Sequence, residues 1–222
     1  MKIATWNIDR LKTKKNIPVI TEIIKEINAD ILILTEFNNL LELPFYKHKT
    51  ETLPLPRQPY NYAETERRVA IFSHFPINKT YKTYDAETSC CADIETVFGE
   101  LIVYGTIVGI TGYADANFKS DFKSQIEDIK SLSQLGNLCY TGDLNTSFCD
   151  NFYFTHFGRD NFNNCFKQNN LKNITKNIPN TIDHIVVNKA FMTNLDIEIT
   201  EWNVDLKLSD HKGICVNFKI GN

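Results

Sequence analysis

Short apolar runs rich in Ile, Val and aromatic residues recur at Lys2–Trp6, Ile31–Thr35, Val69–Ser73, Cys91–Val97, Leu101–Val108, Leu138–Thr141, Ile182–Asn188 and Ile214–Ile220. Their length and β-branched content predict buried or half-buried strands. Between them the period changes. Ile20, Ile23, Ile24 and Ile27 fall at helical spacing and predict a helix over Val19–Ile27, with Pro18 suited to its first turn. Phe122, Ile126, Ile129 and Leu132 predict a second helix over Asp121–Leu135. In the Asn-rich stretch Asn161–Asn180, Phe162, Phe166 and Leu171 still form a helical apolar face, and it reads as helix plus loop. Phe98-Gly99-Glu100 reads as a hairpin turn that pairs Cys91–Val97 with Leu101–Val108 antiparallel. Strands and helices interleave without strict β-α-β order, which favours an α/β or α+β sandwich over a purely parallel sheet.

Composition narrows the picture. Of 222 residues, 42% are hydrophobic and 23% charged, enough apolar material for a sizeable core, so disordered and collagen-like chains are excluded. The length suits one domain, 1–222. The net charge of −3 removes the long basic surface of a tight, sequence-independent duplex binder and leaves room for a local basic patch. No apolar run reaches the roughly 18 residues that span a bilayer, and MKIATWNIDR lacks the apolar core of a secretory signal, so the expected location is cytoplasmic, away from membranes. Cys90, Cys91, Cys139, Cys149, Cys165 and Cys215 form no CxxC pair and read as reduced, mostly buried thiols.

Polar residues collect at the ends of the apolar strands. Asn7 follows IATW, Glu36 follows ILILT, Asp143 and Asn145 follow LCYTG, Asp183 and His184 open IDHIVV, and Asp210 and His211 precede KGICVNF. Strand ends converging on one sheet edge are where binding and catalytic groups gather. Oxygen donors from Glu36, Asp210 and the Asn7 amide suit a hard ion, Mg²⁺ or Mn²⁺, that leaves room for phosphate oxygens. Asp143 and Asn145, two apart, are placed to point the same way, one taking a proton from water and the other orienting it or the phosphate. Asp183 and His211 have the chemistry of an orienting carboxylate and a charge-stabilising imidazolium.

The ordered set TWN at 5–7, LTE at 34–36, GDLN at 142–145, IDHI at 182–185 and SDHKG at 209–213 resembles the endonuclease/exonuclease/phosphatase superfamily, which includes exonuclease III-like and pancreatic-type deoxyribonucleases. The resemblance implies a four-layer α/β sandwich, with two central mixed, mostly antiparallel β-sheets flanked by helices, and Mg²⁺-dependent hydrolysis of a phosphoester. It also implies metal-binding roles for Asn7, Glu36 and Asp210, water activation by Asp143 with Asn145 as partner, and phosphate stabilisation by the Asp183–His211 pair. One departure stands out: no His or Tyr follows Gly105 on VYGTIVGI, where many nucleases of the superfamily carry a catalytic one. Thr106 is no substitute as an acid, and Tyr113 or Arg68 are the candidates to stand in.

Each feature also has a plain structural reading. Glu36 alone is a solvated strand end, Asn7 a turn residue, and Asp143 after Gly142 a helix N-cap. His184 is open between structural hydrogen-bonder and site residue, because its neighbour Asp183 should face the opposite side. His48, His74 and His156 read as structural or exposed. Of Arg67 and Arg68 only one can face the site, and Arg68 is the choice for a substrate phosphate. The run RLKTKK is a charged loop beside the Asn7 motif, placed for contact with a polyanion. The expected function is cleavage of DNA or RNA. The alternatives are a small-molecule phosphatase or phosphodiesterase and a phosphate-binding module whose chemistry has decayed. Selection among substrates falls to the surface segments Asn38–Asn61 and Tyr113–Ser120.

Overall fold

The computed structural model describes residues 1–56, 61–109 and 116–221. Its elements in chain order are β1 (Lys2–Asn7), α1 (Ile17–Ile27), β2 (Ile31–Asn38), β3 (His48–Glu51), β4 (Glu66–Ser73), β5 (Ile77–Tyr81), β6 (Ser89–Thr96), β7 (Gly99–Ile107), α2 (Phe118–Ser133), β8 (Leu138–Asp143), α3 (His156–Gln168), β9 (Leu171–Asn173), β10 (Asp183–Asn188), β11 (Leu195–Trp202) and β12 (Gly213–Ile220). The strands form two six-stranded sheets, in the orders β11-β12-β1-β2-β4-β3 and β5-β6-β7-β8-β10-β9. Each sheet holds one parallel pair, β1 with β2 and β7 with β8, and its other pairs are antiparallel. A helix bridges each parallel pair, α1 in the first sheet and α2 in the second.

Strand alternation builds the layers. Ile3, Ile31, Ile33, Val69 and Ile71 of the first sheet meet Ala92, Ile94, Leu101, Val103 and Ile185 of the second in one core. The alternate residues Ala4, Trp6, Leu32, Leu34 and Phe72 turn outward onto Ile20 and Ile24 of α1. Tyr104, Leu138, Tyr140 and Val186 turn outward onto Phe122 and Ile129 of α2 and Phe162 and Phe166 of α3. Both faces of both sheets are therefore covered, which is why the central strands read as continuous apolar runs. The result is the four-layer α/β sandwich, with mixed, mostly antiparallel sheets, that the motifs imply.

Several boundaries differ from the sequence reading. β6 and β7 do pair antiparallel, but Thr96 faces Gly99, so Val97 and Phe98 form the tip of the hairpin. α3 starts at His156, earlier than the Asn-rich stretch, because the Thr155 hydroxyl accepts from Gly158 N at 3.0 Å as an N-cap. Leu171, expected on the helical face of that stretch, instead opens the edge strand β9, Leu171–Asn173. β3, β5 and β11 are further strands the apolar pattern did not announce, and β3 lies inside the surface segment Asn38–Asn61. Five of the six cysteines are buried and all six are free, with Cys149 exposed. No helix among the described residues is long and apolar enough to cross a membrane.

Candidate active site

β1, β2 and β8 each end in a polar residue, and β10 runs antiparallel to β8 so that Asp183 faces Asp143 in register. Side chains from both sheets thus meet at one edge of the sandwich. Glu36 reaches the cluster through a break in its strand. Ile31 and Ile33 point into the inter-sheet core and Leu32 and Leu34 away from it, but Phe37 joins the outer set, so the alternation slips by one at Glu36. Its φ of 46° is left-handed, a conformation that costs a non-glycine residue about 1–2 kcal/mol. Gly142 has a comparable local reason. Its φ is 130°, and a Cβ there would lie 2.1 Å from the Thr106 carbonyl oxygen, so only glycine lets β8 pass β7 just before Asp143.

Asn7 is buried between two carboxylates. Its Nδ2 donates to Glu36 Oε1 at 3.4 Å and to Asp143 Oδ2 at 3.3 Å, while its Oδ1 accepts from Asp9 N at 2.9 Å. The other Asp143 oxygen accepts from Asn145 N at 2.9 Å. Asn145 is not strand-like beside Asp143. It takes a left-handed φ of 47°, and its amide donates to the carbonyls of Val108 (2.9 Å) and Gly109 (3.3 Å), fastening the chain after β7 to the chain after β8. Burial raises the Asp143 pKa to about 7, with Asp183 and Glu36 adding to the rise and His211 opposing it. Burial raises Glu36 as well, against the Asn7 hydrogen bond and His211.

His211 Nδ1 lies 2.6 Å from Asp183 Oδ2. Burial alone would lower the imidazole pKa, but the charge and hydrogen bond of Asp183, helped by Asp143 and Asp210, carry it to about 10. The ring is an imidazolium at neutral pH. The second oxygen of Asp183 is buried and has no hydrogen-bond partner among the described residues. Residues that sequence reasoning passed over hold the segment in place: Ser209 Oγ donates to Asn7 O at 2.6 Å and accepts from His211 N at 3.2 Å, and Asn203 Nδ2 donates to the carbonyls of Ser209 and His211. Trp6 Nε1 also donates to His211 O at 3.1 Å, and Trp6 packs edge-on against Trp202. Trp202 in turn needs Gly213, where a Cβ would lie 1.8 Å from its ring. The strand-end asparagines and the tryptophan pair were the signals available in the sequence.

Not every expected site residue joins the cluster. Asp210 stands at the rim, its side chain 71% exposed and one oxygen 3.9 Å from His211 Nε2. Arg67 is committed to Glu51 at 3.1 Å. Arg68 is buried, but its guanidinium meets the Tyr62 hydroxyl at 2.6 Å and is not among the charges that act most strongly on Asp143. His184 is structural: fully buried, it accepts from Thr175 Oγ1 at Nδ1 (3.0 Å) and donates from Nε2 to Thr146 O (3.1 Å). Burial lowers its pKa to about 3, so it is neutral and ties the chain after Asp143 to β10. His74 stacks on Tyr46. Thr106 is buried with its hydroxyl donating to the Ile107 carbonyl, and Tyr113 lies outside the described residues, as does the first part of Tyr113–Ser120.

Two clefts flank the cluster. One, of about 180 Å³, is bordered by Asp183, Asp210, His211, Phe152, Tyr153 and Lys212. The other, of about 320 Å³, carries Arg10, Lys12 and Lys14 with Asn38, Thr65 and Glu66. Among the described residues no three His, Cys, Asp or Glu side chains converge as a ready-made metal cage. The donor set nevertheless fits a hard divalent cation. Glu36, Asp143 and Asp183 are three buried or largely buried carboxylates against one imidazolium, one Asp183 oxygen is orphaned, and every donor is oxygen. Mg²⁺ asks for one or two carboxylates and completes its shell with water and phosphate oxygens.

No curated protein matches the sequence. Solved structures do share its fold. An endonuclease/exonuclease/phosphatase from Beutenbergia cavernae DSM 12333 aligns at TM-score 0.73 with 15% identity over 100% of this chain and 72% of that one. The 3′ phosphatase NExo from Neisseria, bound to product DNA hairpin, aligns at 0.72 with 17% identity over 99% of both chains. An AP endonuclease from Archaeoglobus fulgidus aligns at 0.68 with 13% identity over 99% of this chain and 100% of that one. The model of the Endonuclease/Exonuclease/phosphatase family matches residues 4–211, a span that takes in Asn7, Glu36, Asp143, Asn145, Asp183, Asp210 and His211. The chain therefore belongs to that family, whose members are hydrolases of phosphoester bonds.

Proposed function

We propose that the chain is a Mg²⁺-dependent phosphodiester hydrolase of a single domain that cleaves DNA or RNA in the cytoplasm. One observation carries the reading: Asp143 is buried between the Asn7 amide and the Asn145 backbone N–H, beside an imidazolium, with its pKa raised to about 7. A carboxylate so poised takes a proton from water at neutral pH, and a buried one is an effective base. Asn145 fixes the loop that holds it. His211, kept charged and oriented by Asp183, neutralises negative charge on the phosphate under in-line attack. Arg68 is assigned to a substrate phosphate. Glu36 and Asp210, with the free lone pair of the Asn7 amide oxygen, would hold Mg²⁺ or, in its place, Mn²⁺. When bound, the ion supplies Lewis acidity toward the phosphate.

Nucleic acid is favoured over a small phosphoester by the basic cleft of Arg10, Lys12 and Lys14, which offers more cationic surface than one phosphate needs. The DNA hairpin product of the Neisseria 3′ phosphatase and the endonuclease domain of the telomere-specific retrotransposon TRAS1 support the same choice by analogy. The test is hydrolysis of single- and double-stranded DNA, RNA, bis-p-nitrophenyl phosphate and inositol phosphates with Mg²⁺, Mn²⁺ or EDTA. Metal-dependent cutting of an oligonucleotide is expected. Turnover confined to small phosphoesters would replace the nuclease reading, and no turnover on any of them would end the catalytic one.

A further inference from the structure

Among the described residues, Arg68 is a buried cation with no anion beside it. Only 6% of the residue is exposed, and it forms no ion pair among the described residues. Its backbone N–H is spent on Thr52 Oγ1, its Nη2 donates to Tyr62 Oη, and its Nε has no partner among the described residues. Burying a guanidinium without a counter-charge is costly, and the cost is tolerated where a ligand supplies the charge. The neighbouring Arg67 shows the ordinary alternative, since it is satisfied by Glu51 and two backbone carbonyls.

A second cation packs on the same tyrosine. The guanidinium of Arg10 lies 4.7 Å from the Tyr62 ring centre and that of Arg68 lies 5.0 Å from it, so both arginines are cation–π partners of one tyrosine. Arg10 is held there by Glu66 at 2.8 Å, on a turn in which Asp9, Arg10 and Leu11 all take left-handed φ. Arg10 also lines the basic cleft and feels the charge of Glu36. The charges that dominate at Asp143 are those of His211, Asp183 and Glu36. Arg68 thus shares the Tyr62 ring with an arginine that lines the basic cleft.

We propose that Arg68 and Arg10, both packed against Tyr62, form a subsite for a second phosphate of the substrate, a neighbour of the one that is cleaved. This rests on the phosphoesterase reading and narrows it to substrates with at least two phosphates, as in a nucleic-acid strand. The planar fork of Arg68 supplies direction, and Arg10 adds charge at the cleft mouth.

The experiment compares wild type, Arg68→Gln and Arg68→Lys on the dithymidine monophosphate, unmodified or with one extra phosphate on its 5′ or its 3′ side, following cleavage of the internucleotide bond with Mg²⁺. In the wild type one extra phosphate raises kcat/KM by about tenfold or more, the effect of one charge-assisted contact. Arg68→Gln erases that advantage, so that the three substrates are cleaved at similar kcat/KM, while Arg68→Lys keeps part of it. A companion measurement is binding of a short single-stranded oligonucleotide in EDTA across a salt series. There Arg68→Gln lowers the slope of log affinity against log salt by about 0.7, one phosphate's share. The proposal is overturned if no extra phosphate helps the wild type, if Arg68→Gln slows all three substrates equally, or if the salt slope is unchanged in a variant that unfolds at the wild-type temperature. A wild type that hydrolyses no phosphoester defeats the parent reading instead, and the salt slope still decides the subsite.

Discussion

The side chain of Asn7, at the end of β1, donates to Asp143, at the end of β8, across 3.3 Å, and these two strands belong to different sheets. The sandwich is thus stitched together at its catalytic edge by the groups proposed to do the chemistry. The same amide restrains Glu36, so one side chain sets the spacing of two buried carboxylates.

Replacing Asn7 by Ala removes a donor from both acids at once. Leaving buried acceptors unsatisfied costs about 1–3 kcal/mol, which urea unfolding in EDTA would register as a lower midpoint with an unchanged slope. Unaltered stability would mean that the amide does not restrain the carboxylates.

The Asp183–His211 pair gives the stability a pH dependence of definite sign. The folded imidazole titrates near 10 against an ordinary 6.5, so the folded state holds the extra proton between those values. The pair's contribution is complete below about pH 6.5 and is lost as pH rises through about 10. Unfolding measured from pH 6 to 10.5 should show that decline in the wild type and little of it in Asp183→Asn. In that variant, NMR titration of His211 should fall by several units, because burial then opposes the charge with its main partner gone.

Metal binding should carry the opposite slope. Asp143 titrates near 7 and Glu36 is raised by burial, so without metal both hold protons more tightly than ordinary carboxyls. A divalent cation must displace those protons, so Mg²⁺ affinity rises with pH through about 7. Calorimetry in two buffers of different ionisation enthalpy would detect the released protons, and Asp143→Asn should release fewer.

Gly142→Ala is expected to be among the most damaging single changes. Its Cβ would sit 2.1 Å from the Thr106 carbonyl at a φ that alanine avoids. A loss of at least about 3 kcal/mol is expected, readable as a fall in thermal midpoint larger than that of Asn7→Ala.

Much of this was legible in the chain because the chemistry sits where apolar runs stop. Asn7, Glu36, Asp143 and Asp183 each touch the end of a strand whose burial announces it, and the central strands were plain because helices cover their outer faces. The edge strands were not. β3 reads HKTE and β5 reads INKTY, polar sequences that pair on one side only. β11 did carry an alternation, Leu195, Ile197 and Ile199, too dilute beside its acidic residues to stand out. Arg68 was assigned to a phosphate without its partner, since the meeting of Tyr62 with two arginines depends on a bent turn at Asp9–Leu11 that no local propensity signals. His184, ambiguous from its position next to Asp183, was decided only by Thr175 and Thr146, both distant in sequence or off its strand.

The most direct test of the central claim compares the wild type with Asp143→Asn on the best oligonucleotide substrate, in Mg²⁺, with thermal unfolding measured in parallel. The variant should lose about 10²–10⁴-fold in kcat, the usual contribution of a positioned base, while unfolding at or above the wild-type temperature because a charge that burial disfavours is gone. A folded Asp143→Asn protein that cleaves at the wild-type rate would contradict the account.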